Sequence, residues 1–158
     1  MDESALSACR ERDRSAVAQI DDGTKWTYHL GVTGEPARIL VVEDDADLRR
    51  MYRTALMLAG FDVRDAAIGI DALRYIDEDP PDLIVLDLML PDINGMVIRQ
   101  EIAAHAHTQK IPIVIVTGAL LDLTSADVAC VLRKPVSPDE LVRTVQSCLR
   151  SGAPSAGL

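Results

Sequence analysis

The sequence predicts an α/β fold, with five strand–helix units building one parallel sheet between two layers of helices. Three observations predict it. Four apolar runs, ILVV, LIVL, IPIVIV and VLR, are rich in β-branched and aliphatic residues, as in parallel strands covered on both faces. Segments with helical spacing of apolar residues alternate with them. Each run also ends on polar groups: Glu43-Asp44-Asp45, then Asp87, then Thr117, then Lys134-Pro135. Ligands of open α/β sheets bind just beyond the carboxyl ends of the strands, where the topology switches.

The elements follow in order. The first 35 residues differ from the rest. A weak helix is expected over residues 2–20, with Leu6, Cys9, Ala16, Val17 and Ile20 roughly on one side, broken by Asp21-Asp22-Gly23. Trp26 and Tyr28 follow, and Gly31, Gly34 and Pro36 mark a loop. This stretch reads as a flexible or loosely docked extension, or as a helical arm packing on the domain or on a second copy. The first core strand is 38–42. The next helix begins near Asp45 or Asp47, presents Leu48, Met51, Tyr52, Ala55, Leu56 and Ala59 on one face, and stops at Gly60. A second strand spans 61–66 and a second helix 70–77, which Pro80-Pro81 ends. A third strand covers 83–86. The turn cluster Pro91-Asp92-Ile93-Asn94-Gly95 leads to a helix over 96–104. Pro112 precedes a fourth strand at 113–116, a short helical piece falls within 120–126, and a fifth strand covers 130–132. The last helix has Ser137 as N-cap, Pro138 at N1 and Glu140 completing a capping box, with Leu141, Val142, Val145, Cys148 and Leu149 facing inward. The expected division is an extension over 1–35, a folded domain over 36–150 and a disordered tail over 151–158.

Right-handed crossovers and a flavodoxin-like strand order of 2-1-3-4-5 would seat the first strand beside the third. Glu43, Asp44 and Asp87 would then share one crevice, flanked by Thr117 and Lys134. Clustered carboxylates repel unless a cation intervenes. An all-oxygen site with open positions suits Mg²⁺, with Mn²⁺ as the alternative. Asp87 then serves as metal ligand and as a nucleophile able to form an acyl phosphate. Lys134 supplies a point charge, and Thr117 can donate to a phosphoryl oxygen. Asp45 and Asp47 read as first-turn helix acids. His105 and His107 fall on different helix faces, and His29 is isolated.

Composition excludes several classes. The net charge of −9 argues against a nucleic-acid-binding surface. At 48% hydrophobic residues, the 158-residue chain can build one real core with surplus chain. Cys9, Cys130 and Cys148 have no metal-binding spacing and are odd in number, so reduced thiols are expected. The N-terminus lacks an apolar leader core, and no run nears the roughly 20 residues that span a bilayer. A soluble, cytoplasmic protein with no membrane partner is expected.

Together, ILVVEDDADLR, LIVLDLMLPDINGMVI, IVIVTG and LRKPVSPDEL resemble the receiver domain of bacterial two-component response regulators, over residues 37–150. The resemblance implies that Glu43 and Asp44 are the acidic metal-binding pair and Asp87 the phosphoacceptor. It implies that the backbone carbonyl of Met89 completes the metal shell, that Thr117 is the hydroxyl switch and that Lys134 pairs with the phosphate. It also implies a cis peptide at Lys134-Pro135, and a histidine kinase or phosphorelay as phosphoryl donor. Val131 departs from the family, which usually has Tyr or Phe there, and the stretch from Thr117 to Lys134 is shorter than usual, implying a short fourth helix. No output domain follows in these 158 residues, so a single-domain regulator acting through protein contacts on an unknown downstream partner is expected. It would be no enzyme beyond catalysing its own phosphorylation and dephosphorylation. A pseudo-receiver, a binding module with little phosphorylation-driven switching, is the alternative. A haloacid-dehalogenase-type phosphatase needs an acid two residues after the nucleophile, where Met89 stands. A flavodoxin phosphate loop would be repelled by Glu43-Asp44-Asp45.

Overall fold

Every apolar run becomes a strand of one parallel sheet, and the helices between them cover both of its faces. The computed structural model describes residues 16–21, 25–30, 35–119 and 130–151, the first two stretches by backbone alone. The chain starts with β1 (Ala16–Asp21), β2 (Lys25–Leu30) and the short β3 (Glu35–Pro36). Then come β4 (Arg38–Val42), α1 (Ala46–Leu58), β5 (Asp62–Ala66), α2 (Gly69–Glu78), β6 (Leu83–Leu86) and α3 (Gly95–Ala104). The described chain ends with β7 (Ile113–Thr117), β8 (Cys130–Arg133) and α4 (Pro138–Arg150).

The main sheet runs β5-β4-β6-β7-β8 and is parallel throughout. Counted within this sheet, that is the expected 2-1-3-4-5 order. Side chains alternate between its faces. Ile39, Val41, Val85, Val114 and Val116 meet Tyr52 and Leu56 of α1 and Leu141, Val145 and Leu149 of α4. Leu40, Val42, Ile84, Leu86 and Ile115 meet Ala72 and Ile76 of α2 and Ile98 and Ile102 of α3. The result is the three-layer sandwich, with a core on each side of the sheet.

The helix ends follow local chemistry. The Asp45 carboxylate accepts the Asp47 and Leu48 N–H groups, both at 2.9 Å, and so starts α1. Gly60, at φ 95°, takes the left-handed conformation that ends it. Ser137 Oγ accepts the Glu140 N–H at 3.2 Å with Pro138 behind it, which starts α4.

The N-terminal stretch differs from expectation. Residues 16–20 form strand rather than helix: β1 pairs antiparallel with β2, from Ala16↔Leu30 to Asp21↔Lys25. The β-favouring Trp26, Thr27 and Tyr28 offer a partner strand just beyond Asp21-Asp22-Gly23, whereas a lone weak helix in water is marginal. β2 also pairs with β3, and β1 runs alongside α4. Residues 2–15 of the expected helix, the helical piece at 120–126 and the tail beyond 151 lie outside the described residues. Among the described residues, no helix is long and apolar enough to cross a membrane.

Candidate functional site

Strand register brings the polar residues together. Val42 pairs with Leu86, Leu86 with Ile115, and Thr117 with Arg133, so β4, β6, β7 and β8 stop at nearly the same level. The ladder continues one step into the site. The Glu43 N–H donates to Ala66 O at 3.1 Å, the Asp87 N–H to Val42 O at 2.9 Å, and the Lys134 N–H to Thr117 O at 3.0 Å. The backbones of the site residues are thus held by the sheet itself. Lys134-Pro135 is cis, as expected.

Glu43 and Asp87 are buried, at 1% and 3% exposure, while Asp44 stands at the exposed rim. One carboxylate oxygen from each lies within 4.8 Å of the others. Lys134 Nζ lies 2.8 Å from Glu43 Oε2 and 2.9 Å from Asp87 Oδ2. The second Asp87 oxygen accepts the Met89 N–H at 3.0 Å, which turns the Met89 side chain out to solvent. Thr117 is fully buried, and its Oγ1 accepts the Ala119 N–H at 3.2 Å. Glu43, Asp44, Asp87 and Lys134 therefore come together, with Thr117 at the end of the neighbouring strand and Met89 two residues beyond Asp87. Burial pushes the Glu43 carboxyl up, the Asp87 charge adds to this, and Lys134 opposes it. Burial pulls the Lys134 ammonium down, but its bonds to Glu43 and Asp87 outweigh that and hold it above its usual value. The donor set is oxygen only, carboxylate-rich and open on the Asp44 side, and it fits a hard divalent cation.

Three supports went unrecognised in the sequence reading. The Arg49 guanidinium donates to the Glu43 carbonyl at 2.9 Å, the Asp44 carbonyl at 3.2 Å and Asp65 Oδ2 at 3.1 Å, clamping the acidic turn to the end of β5. The spacing from Glu43 could have flagged it, since a basic residue one turn into a helix can reach back to the strand end. The second support is Gly95, directly under the turn that carries Asp87. The Gly95 N–H donates to Leu88 O at 3.0 Å, and the chain there leaves no room for a side chain. The third is Asp92, which caps a helix from a distance. Ile68 precedes α2 and has no side-chain cap, so the Asp92 carboxylate accepts the Gly69 N–H at 2.8 Å and the Ile70 N–H at 2.9 Å.

These bonds, that from Gly69 first, hold the exposed Asp92 carboxyl below its usual value of 3.8. A carboxyl depressed by folding stabilises the fold fully above its unfolded pKa and stops doing so as pH falls through the folded one. Asp92→Ala should therefore lower the urea midpoint at pH 7. Its gap to the parent should close as pH drops below about 3.8, the usual aspartate value. Denaturation curves at pH 7, 5 and 3 check this, and a gap that does not shrink at all between pH 5 and pH 3 would refute the capping account.

The comparisons with known proteins agree with this geometry. A family model described as the response regulator receiver domain matches residues 39–146. The transcriptional regulatory protein BaeR of Escherichia coli is 36% identical over 137 residues, covering 82% of this chain and 55% of that protein. The transcriptional regulatory protein GltR of Pseudomonas aeruginosa is 34% identical over 120 residues, covering 71% of this chain and 48% of that protein. The chain thus spans about half the length of the curated relatives it matches. Among solved structures, the chemotaxis response regulator CheY4 of Vibrio cholerae superposes with a TM-score of 0.66 at 25% identity, covering 71% of this chain and 98% of that one. A DNA-binding response regulator of the LuxR family from Staphylococcus aureus gives 0.65 at 28% identity, covering 72% and 98%. With the matched segment spanning the whole main sheet and the convergent site, this chain belongs to the response regulator receiver domain family of two-component systems.

Proposed function

We propose that this domain accepts a phosphoryl group on Asp87 from a phosphohistidine of a kinase or phosphotransfer protein and passes the signal on through protein contacts. One observation carries the reading: a single ammonium, Lys134 Nζ, bridges the buried carboxylates of Glu43 and Asp87 at the carboxyl ends of the strands. An Asp87 oxygen attacks phosphorus, the bond from phosphorus to the donor imidazole breaks, and an acyl phosphate results. Lys134 then exchanges part of its contact with the carboxylates for a phosphoryl oxygen. Rotation of the Thr117 hydroxyl from Ala119 toward the new anion adds a hydrogen bond. Glu43, Asp44 and Asp87, with the Met89 carbonyl as a further oxygen, would hold Mg²⁺, which supplies positive charge against the developing negative charge.

Receiver domains are signalling modules, and the chemistry proposed here is confined to Asp87 itself. The net charge of −9 favours protein partners over nucleic acid, and a histidine kinase as donor implies a cytoplasmic domain. Residues 36–150 are proposed to carry the whole activity, with 1–35 as an extension outside it.

Incubating the full chain with acetyl phosphate and Mg²⁺ should add one phosphoryl group by intact mass, and Asp87→Asn should add none. Equal labelling of the variant would remove Asp87 from this role. A parent that stays unlabelled would favour the pseudo-receiver reading, which the half-buried Val131 packed against the second core also supports. The fragment 36–150 should unfold cooperatively and take up phosphate like the full chain. A fragment that fails to fold would make the β1–β2 hairpin part of the domain.

A further inference from the structure

Away from the carboxylate site, the described residues bring two thiols into contact. Cys130 opens β8, and Cys148 sits in the last turn of α4, which packs on that strand. Their Sγ atoms lie 3.0 Å apart. A disulfide needs about 2.05 Å, so an approach of about 1 Å closes the bond. The two sulfurs are not equivalent. Cys148 is buried in the α1–α4 core, while Cys130 is half-buried at its edge. We propose that Cys130 and Cys148 are a redox pair, which a hydroperoxide converts into an internal disulfide joining β8 to α4.

The order of events follows from the surroundings. Burial pushes the Cys148 thiol up to about 12, and the hydrogen bond to Cys130 adds to it, so Cys148 keeps its proton at neutral pH. Cys130, the more accessible sulfur, meets the oxidant first. The Cys130 thiolate attacks one peroxide oxygen: an S–O bond forms, the O–O bond breaks, and the leaving alkoxide or hydroxide takes up a proton. Cys130 is then a sulfenic acid. Cys148 attacks that sulfur: the S–S bond forms, the S–O bond breaks, and hydroxide leaves with the Cys148 proton as water. The two thiols give up two electrons and the peroxide takes them. Transient, redox-sensing disulfides are the kind that reducing compartments tolerate.

The bond would tie the strand that leads into Lys134 to α4, the helix alongside β1. This inference does not depend on phosphorylation of Asp87. The test uses the reduced full chain and its Cys9→Ser variant, with hydrogen peroxide as the probe. Both Cys130 and Cys148 should become unreactive to maleimide after denaturation, with the mass lower by two hydrogens and the protein monomeric on a non-reducing gel. Non-reducing peptide maps of the parent should show Cys130 joined to Cys148, and dithiothreitol should reverse it. Cys148→Ser should stop at a sulfenic acid on Cys130 that dimedone traps. The proposal is overturned if both thiols stay titratable in excess peroxide. It is equally overturned if either sulfur gains oxygen while the other stays free, or if the cross-link joins two chains.

Discussion

Replacing Lys134 with methionine should lower the unfolding free energy at pH 7 by about 3 kcal/mol, the lower end of what removing one partner of a buried ion pair costs. Methionine keeps the length of the side chain and most of its packing, so the loss isolates the charge. The ammonium sits between two carboxylates that are 1% and 3% exposed. Without it, both are left buried and face each other with no cation. The lower end of the range applies because the Lys134 side chain itself is 21% exposed and water shares in the screening. The same variant should lose phosphoryl uptake from acetyl phosphate, since the charge that would meet the incoming phosphate is gone. Mg²⁺ should recover part of the lost stability, because a cation that binds only the folded site stabilises by mass action. Urea denaturation with and without Mg²⁺, beside intact-mass labelling, checks all three. A loss below about 1 kcal/mol would mean that this pair behaves as a solvent-screened surface contact.

Gly95→Ala should destabilise by about 2–3 kcal/mol, against the sign that helix propensity predicts. Gly95 is the first residue of α3, and in a free helix the exchange would gain up to about 1 kcal/mol. Here a Cβ would lie 2.6 Å from the Asp87 carbonyl oxygen and 2.6 Å from the Leu88 Cα. Both atoms are backbone and cannot rotate away, so either α3 or the turn after β6 must shift. That turn carries Asp87, and the variant should therefore phosphorylate more slowly even where it folds. Gly118→Ala is the control: a Cβ there meets nothing within 4 Å among the described residues, and its effect should stay within about 0.5 kcal/mol. Thermal melts and the rate of labelling separate the two variants. Equal behaviour of both would show that close approach under Asp87 is not what glycine provides.

Much of this was readable without coordinates because it is local. Doubly covered strands declare themselves by uninterrupted aliphatic runs, and ILVV and LIVL end within a residue of β4 and β6. Ser137-Pro138 with Glu140 starts α4 by bonds that span three residues. Where the reading failed, the deciding partner was distant or competed with a local preference. Residues 16–20 have spacing compatible with helix, yet they pair with β2, because a strand partner offers each backbone group a ladder bond. The Asp92 cap reaches a helix 23 residues earlier in the chain, and no cap motif spans such a gap. Cys130 and Cys148 are free thiols, as expected, but their 3.0 Å contact had no signal in the sequence, since it exists only once α4 lies on β8.

The sequence by itself determined which polar group ends each strand, which residues start and stop the helices, and hence that Glu43, Asp44, Asp87, Thr117 and Lys134 could serve one site. The tertiary structure alone decided that the three carboxylates and Lys134 do meet, beside the strand end that carries Thr117. Lys134 lies 47 residues beyond Asp87, and its 2.9 Å contact exists because β4, β6, β7 and β8 are paired with their ends level. A slip of one residue would turn the side chains of a strand to the opposite face. The physical reason is that side-chain periodicity and capping are short-range properties of the chain. Register, burial and the approach of charges across dozens of residues belong to the packed sheet.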